Sequence, residues 1–239
     1  MPSTENLDHL PKPNDLQRIC MSISALEAII SPEWEYRYYS YQKDWREGEE
    51  FCEMRDGQGD QMLILFTKNG ICINGFAHES QMNGWKQIQI EEKKSFKEKL
   101  FGTKNELKTE LRQEIFNGVL DSLPEVFNEF IYGEPVKSIG TTFCIWSIEN
   151  DWKIGEIKLP NDNYKDGSKD LLQLLDGQAK TYKNWAEEYY EKEFKIELIE
   201  SVYAGNPISK ELVLELNSEI EDLEALRTEL EEIGFANTL

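Results

Sequence analysis

Two short apolar runs, residues 62–67 (MLILFT) and 71–76 (ICINGF), are separated only by Lys68-Asn69-Gly70, and no other stretch restricts the fold as much. Reversing a chain within so few residues needs backbone torsions that Asn and Gly accept most readily. The spacing therefore predicts a β-hairpin with an Asn-Gly type I′ turn. Successive strand side chains point to opposite faces, and Leu63, Ile64, Leu65 and Phe66 are all apolar. Both faces of this hairpin must be covered, which places it centrally in a sheet.

The remaining elements follow from hydrophobic period and punctuation. Leu16, Ile19, Ile23, Leu26 and Ile30 recur at helical spacing behind Asn14, an expected cap, and Pro32 ends that helix. Trp34, Tyr36, Tyr38, Tyr39 and Tyr41 predict an aromatic strand whose hairpin partner runs through Phe51. Residues 86–101 are rich in Lys, Glu and Gln and predict an exposed insertion or mobile helix. Capping boxes at Thr103/Glu106 and Ser122/Glu125 predict two helices, and residues 142–148 and 152–157 a further hairpin. After Pro160 the strand signals stop. Helices are expected from Ser168 to Gly177, over residues 179–193, 196–203 and 209–216, and from a Ser218/Glu221 box to Gly234. The expectation is an α+β protein: a mainly antiparallel sheet of about six strands built from hairpins, flanked by helices, with an α-helical C-terminal third. Residues 1–13 read as a flexible N-terminus, 14–160 as the sheet region and 161–235 as a helical region on the same core, one domain in all.

Charge narrows the partners. Forty-six Asp and Glu face 26 Lys and Arg, a formal net charge of −20. Residues 206–239 hold nine acids against Lys210 and Arg227, a net of −7, and only residues 85–116 are net basic. Such a potential repels phosphate backbones and attracts cations and basic proteins, so nucleic acid is not an expected partner and a basic protein is. Leu, Ile, Val and Phe together number 61 of 239, enough for a chain this charged to fold. No 18-residue apolar stretch or signal-peptide pattern is present, so no membrane partner and a cytoplasmic location are expected. Cys20, Cys52, Cys72 and Cys144 lack metal spacing and read as buried thiols.

Few constellations carry chemistry. Residues 162–170 (DNYKDGSKD) resemble a calcium loop, but Tyr164 and Gln173 stand where Asp or Asn and then Glu are needed; a loop capped by Ser168, with Asp170 in the first helical turn, accounts for them. Residues 56–60 (DGQGD) match neither a calcium loop nor a phosphate loop and read as a tight strand connection. His78-Glu79 lacks the second histidine of a zinc helix, since position 82 is Met82. No metal or cofactor is expected. His78 with Glu79 or Asp121 is a candidate general base, against the commoner role of a structural hydrogen-bonding histidine. Tyr182, Trp185, Tyr189 and Tyr190 predict a helix docking an aromatic face on the sheet, and Trp45 and Trp85 fall in expected turns.

The blocks GFAHES (75–80), TTFCIW (141–146), DLLQLLDG (170–177) and YKNWAEEYY (182–190) resemble those of a family of uncharacterised bacterial cytosolic proteins with no assigned activity. The likeness covers about residues 60–235, and residues 86–101 look like an insertion in it. It directs attention to Gly75, His78, Glu79, Ser80, Asp121, Thr141, Thr142 and Trp146. The expected function is a non-enzymatic, protein-binding module of immunity or antitoxin type, with His78, Glu79, Ser80, Trp85, Thr141, Thr142 and Trp146 as binding candidates. The alternative is an enzyme using His78, Glu79 and Asp121.

Overall fold

The computed structural model describes residues 1–91, 107–159 and 165–239. Strands β1 (Tyr39–Arg46), β2 (Glu49–Arg55), β3 (Gln61–Thr67), β4 (Gly70–Phe76), β7 (Phe143–Ser147) and β8 (Lys153–Ile154) form one antiparallel sheet in the order β1-β2-β3-β4-β7-β8. A separate antiparallel ribbon joins β5 (Trp85–Glu91) to β6 (Leu107–Gln113). The described helices are α1 (Pro13–Ile30), α2 (Asn128–Tyr132), α3 (Val136–Ile139), α4 (Ser168–Leu171), α5 (Ala179–Tyr190), α6 (Ile196–Tyr203), α7 (Lys210–Leu216) and α8 (Leu223–Ile233). The class is α+β, with a helical C-terminal part.

The consecutive apolar residues of β3 and β4 are explained by two cores. Met62, Ile64, Phe66 and Ile73 face α1 and the C-terminal helices, while Leu63, Leu65, Cys72 and Trp146 face Val119, Phe127, Phe130 and Val136. Two-sided burial makes β3 and β4 the centre of the sheet. The hairpin turn differs from the expected one. Thr67 pairs with Gly70 and leaves Lys68-Asn69 as the loop, and the positive torsion falls on Gly70 (φ +150°). A Cβ at Gly70 would lie 2.2 Å from the Ser147 carbonyl oxygen, so the residue also permits the close approach of β7.

Several local signals were overridden. Residues 86–91 of the segment expected to be an exposed helix or insertion belong to β5, while 92–101 lie outside the described residues; the helix expected after Thr103/Glu106 is replaced by β6, and Thr103 and Glu106 themselves also lie outside the described residues. The Ser122/Glu125 box does not cap. Ser122 has φ +63°, and Pro124 leads into a 3-10 turn, Glu125–Phe127. The last helix starts later than expected, at Leu223, because the Asp222 carboxylate accepts the Ala225 N–H at 2.9 Å and supplies the cap. Trp34–Tyr36 is a 3-10 turn, not strand, and α1 begins at Pro13 with no side-chain cap from Asn14. The N-terminal segment read as flexible makes specific contacts: Thr4 N donates to Ser168 Oγ at 3.0 Å, and the Thr4 hydroxyl donates to Asp166.

Helix α1 lies under β1 and is wrapped by α6, α7 and α8, so residues 22–30 are buried all round, polar ones included. Ser22 Oγ bonds the carbonyls of Arg18 (2.9 Å) and Val202 (3.2 Å). Glu27 is fully enclosed. Its carboxylate accepts from Tyr182 OH at 2.8 Å, Tyr190 OH at 2.7 Å and Tyr38 N at 2.8 Å. Arg37, also buried, pairs with Glu229 of α8 and donates to the Ser31 and Pro32 carbonyls. The expected aromatic face of α5 is present: Tyr38 meets Trp185 and Tyr189 edge-on at 4.9 and 5.1 Å.

Burial holds the Glu27 carboxyl above its ordinary 4.5 against the lowering effect of the tyrosine and backbone donors. A carboxyl raised on folding binds more protons folded than unfolded, so its contribution to stability falls as pH rises from about 4.5 through the folded value. Tyr182→Phe removes a donor to the charged form, which is expected to cost about 1.5–3 kcal/mol at pH 8 and less at pH 5. Urea denaturation at the two pH values checks both size and sign.

Candidate functional site

Strand β4 ends in Gly75-Phe76 and β7 begins at Phe143, and Gly75 pairs directly with Phe143. Phe143 is fully buried, and a Cβ on Gly75 would lie 2.0 Å from its ring, so a glycine is what allows the two strands to close here. The chain leaving β4 (77–84), the chain entering β7 (140–142) and the 165–168 loop meet at this end of the sheet. Most of the residues that the sequence singles out converge there.

Their polar groups are used internally. The Thr142 hydroxyl donates to Asp166 O at 2.6 Å and accepts Ala77 N–H at 3.1 Å. Thr141 donates to Asn74 Oδ1 at 2.7 Å, and Asn74 Nδ2 donates to Gly140 O at 2.9 Å. Ser80 Oγ donates to Lys165 O and accepts Met82 N–H at 2.9 Å. The Trp85 indole donates to Ile139 O at 3.1 Å. Trp146 is buried in the second core and presents no surface. The Thr142 and Ser80 hydroxyls satisfy backbone groups, and the Thr141 hydroxyl holds the Asn74 amide that bonds Gly140 O, all structural roles.

His78 is partly exposed. Its Nδ1 lies 2.8 Å from Asp60 Oδ1 and its Nε2 3.2 Å from Glu79 Oε1. The same Asp60 oxygen accepts His78 N–H at 2.8 Å. The hydrogen bond to Asp60, then the fields of Asp60, Glu79 and Asp56, raise the imidazole above its ordinary 6.5 despite partial desolvation. With both ring nitrogens facing carboxylates, the protonated form of the ring, which donates on each side, is favoured relative to a free imidazole. Asp121 is exposed in the 118–122 turn and is not among the partners of His78 or Glu79.

Four contributors carried no local signal of a role here: Asp60, Asn74, Gln113 and Asp166. Asp60 closes the 56–60 loop, where Asp56 Oδ1 accepts the N–H groups of Gln58, Gly59 and Asp60 at 2.7–3.0 Å, and the β3–β4 register brings it to His78. Gln113, at the end of β6, donates to Asn83 O (2.7 Å) and Thr141 O (3.0 Å) and accepts Thr141 N–H (2.9 Å), tying the ribbon to the sheet. Asp166 Oδ1 accepts Ser168 N–H at 2.9 Å; Gly167, not Ser168, stands at the N-cap of α4. Asp162 and Tyr164 of the calcium-like loop lie outside the described residues.

A recess of about 730 Å³ lies between the N-terminal residues and the 165–170 loop, lined among others by Thr4, Met82, Ile157, Asp166 and Ser168. Neither His78 nor Glu79 nor Asp121 lines it. All four cysteines are free and buried. Among the described residues no group of three or more His, Cys, Asp or Glu side chains is placed to hold a metal ion, and no helix is long and apolar enough to cross a membrane. Comparison with protein-family models, curated proteins and solved structures finds no match to this chain.

Two substitutions probe the site. Gly75→Ala forces a methyl group into the Phe143 ring and is expected to lower stability by about 1–3 kcal/mol, read from the shift in urea midpoint. Asp60→Asn weakens the pairing of His78. The stabilisation by a raised imidazole is complete below 6.5 and fades as pH rises through the folded value, so in Asp60→Asn this pH dependence shrinks and the His78 midpoint moves down toward 6.5. A proton NMR titration reads the midpoint directly; a native His78 titrating at or below 6.5 would contradict the pairing.

Proposed function

We propose that this protein is a non-enzymatic protein-binding module that receives a basic partner, in the manner of an immunity protein or antitoxin. The observation that carries the reading is the outward acidity of the helical region. Glu211, Glu219, Glu221 and Glu232 are exposed and have no ion-pair partner among the described residues, while Arg227 serves Glu224 and Glu231, and Lys195 serves Glu215. Unpaired surface carboxylates do little for a fold but steer and orient a cationic protein. The hydroxyls of Ser80, Thr141 and Thr142 in the GFAHES and TTFCIW blocks are engaged by groups of the fold itself, which favours a scaffold role for these blocks. The location proposed is the cytoplasm.

The test is affinity capture from a lysate of the source cells in low salt, about 50 mM, followed by elution in about 500 mM. A basic protein bound in stoichiometric amount and released by salt is expected, because each screened ion contact weakens association as ionic strength rises. If no basic protein is retained at low salt, the proposal fails. A second route to failure is a turnover reaction abolished by His78→Ala, which would restore the enzyme reading.

A further inference from the structure

Large aromatic rings lie exposed along one face of the molecule, where the Trp34–Tyr36 turn meets α5. Trp34 is 52 %, Tyr36 58 % and Tyr189 43 % exposed, high values for side chains that normally dominate cores. Tyr38, Trp185 and Tyr189 are in ring contact, and the turn that carries Trp34 and Tyr36 is tied to them through the Tyr36 carbonyl. Tyr189 OH reaches Tyr36 O at 3.4 Å, Tyr189 stacks on Trp185 with centroids 5.1 Å apart, and Tyr38 stands edge-on to both. Beyond Trp185 and Tyr189 the surface dips into a groove of about 650 Å³ whose wall includes Thr181, Asn184 and Glu188.

The surroundings are anionic. Glu33 and Glu35 are exposed on the turn itself, and Glu188 lines the groove. Asp56 lies near enough to act on two of the rings: burial first, then Asp56, Tyr189 and Asp60, push the Tyr38 phenol up to about 12, and burial, Glu27 and Asp56 raise Tyr189. Arg37 is spent on Glu229. A cation already on this surface is informative: Arg55 sits with its guanidinium 3.3 Å from the centre of the Trp34 ring, so the shelf holds one arginine by its aromatic face. Lysine and arginine both suit an acidic surface, but the flat guanidinium stacks on rings and pairs with a carboxylate in the same pose.

We propose that this aromatic shelf is the docking surface for the basic partner, and that it takes an arginine-bearing segment whose guanidinium groups stack on Tyr36, Tyr189 and Trp34 while Glu188 and Glu35 pair with them. The inference rests on the protein-binding reading given above and locates its site.

Three synthetic peptides of equal length supply the probes, bearing alternating Gly with Arg, Lys or citrulline, the last an uncharged near-isostere of arginine. Binding to the full chain is followed by tryptophan fluorescence and calorimetry in low salt. The arginine peptide is expected to bind most tightly and the citrulline peptide not measurably. Trp34→Ala/Tyr36→Ala is expected to weaken the arginine peptide by about tenfold. Glu188→Gln should weaken it several-fold, and Asp121→Asn/Glu125→Gln, two exposed carboxylates on the opposite side of the sheet, should not. Tyr36→Ala alone, at the most exposed ring, serves if the double variant fails to fold. Arginine-peptide binding that survives the loss of Trp34 and Tyr36, or that depends equally on Asp121 and Glu125, overturns the shelf and leaves the acidic-module reading standing. Equal binding of the citrulline peptide overturns the requirement for a cation. Absence of binding by either charged peptide overturns the shelf, and the lysate capture then decides the broader reading separately.

Discussion

Three donors from two separate stretches of chain converge on one enclosed carboxyl group, that of Glu27 in the middle of α1. An isolated charge there would be prohibitive, and an unpartnered neutral acid still costly. Two phenol groups from α5 and the backbone N–H that leads into β1 make burial tolerable, and they do so only if α1, α5 and the edge of the sheet hold one relative position. The apolar contacts around them are interchangeable in kind. The hydrogen-bonded cluster is not, since it is satisfied in one arrangement and broken in others. The aromatic shelf depends on it too, because Tyr190 and Tyr182 anchor the same helix that displays Tyr189 and Glu188.

From that fixed centre the distribution of charge follows. A sheet covered on both faces and a helix buried all round use the apolar residues inside, and the acids are left on outer helix faces, chain ends and turns. Most surface ion pairs add little to stability. Arg37 with Glu229 differs: the guanidinium is buried, also serves two backbone carbonyls, and ties the last helix to the segment that enters β1.

The fold was legible where a local pattern and a tertiary environment agree. The run of Leu63 to Phe66 announces two-sided burial, and Gly177 and Gly234 end helices as glycines do, at positive φ. The β5–β6 ribbon was illegible for a physical reason. Lys, Glu, Gln and Leu favour helix in isolation, and cross-strand pairing with Gln113 locked to Thr141 outweighs a preference of a few tenths of a kcal/mol per residue. Of the candidate site, the adjacency of His78 and Glu79 could be read directly. Asp60 could not, because its contact comes from the antiparallel pairing of Gln61 with Phe76, eighteen residues of chain folded back on itself. The threonines and the serine of the motif blocks looked like reactive groups in one dimension, and their hydroxyls satisfy backbone carbonyls or the Asn74 amide.

The strand order carries a consequence for how the molecule assembles. Strands β1 to β4 are joined by loops of two, five and two residues (47–48, 56–60 and 68–69), so their pairing closes only short loops. Strand β7 lies beside β4 in space, yet residues 77–142 stand between them. Closing so long a segment loses much more chain entropy before any contact compensates, which slows such pairings relative to local ones. Until β7 arrives, the edge of β4 exposes its hydrogen-bonding groups, and Gly75 leaves a gap on the α1 side of the sheet that the Phe143 ring must fill. During synthesis the ribosome has delivered the whole four-stranded meander well before the strand that covers its open edge emerges.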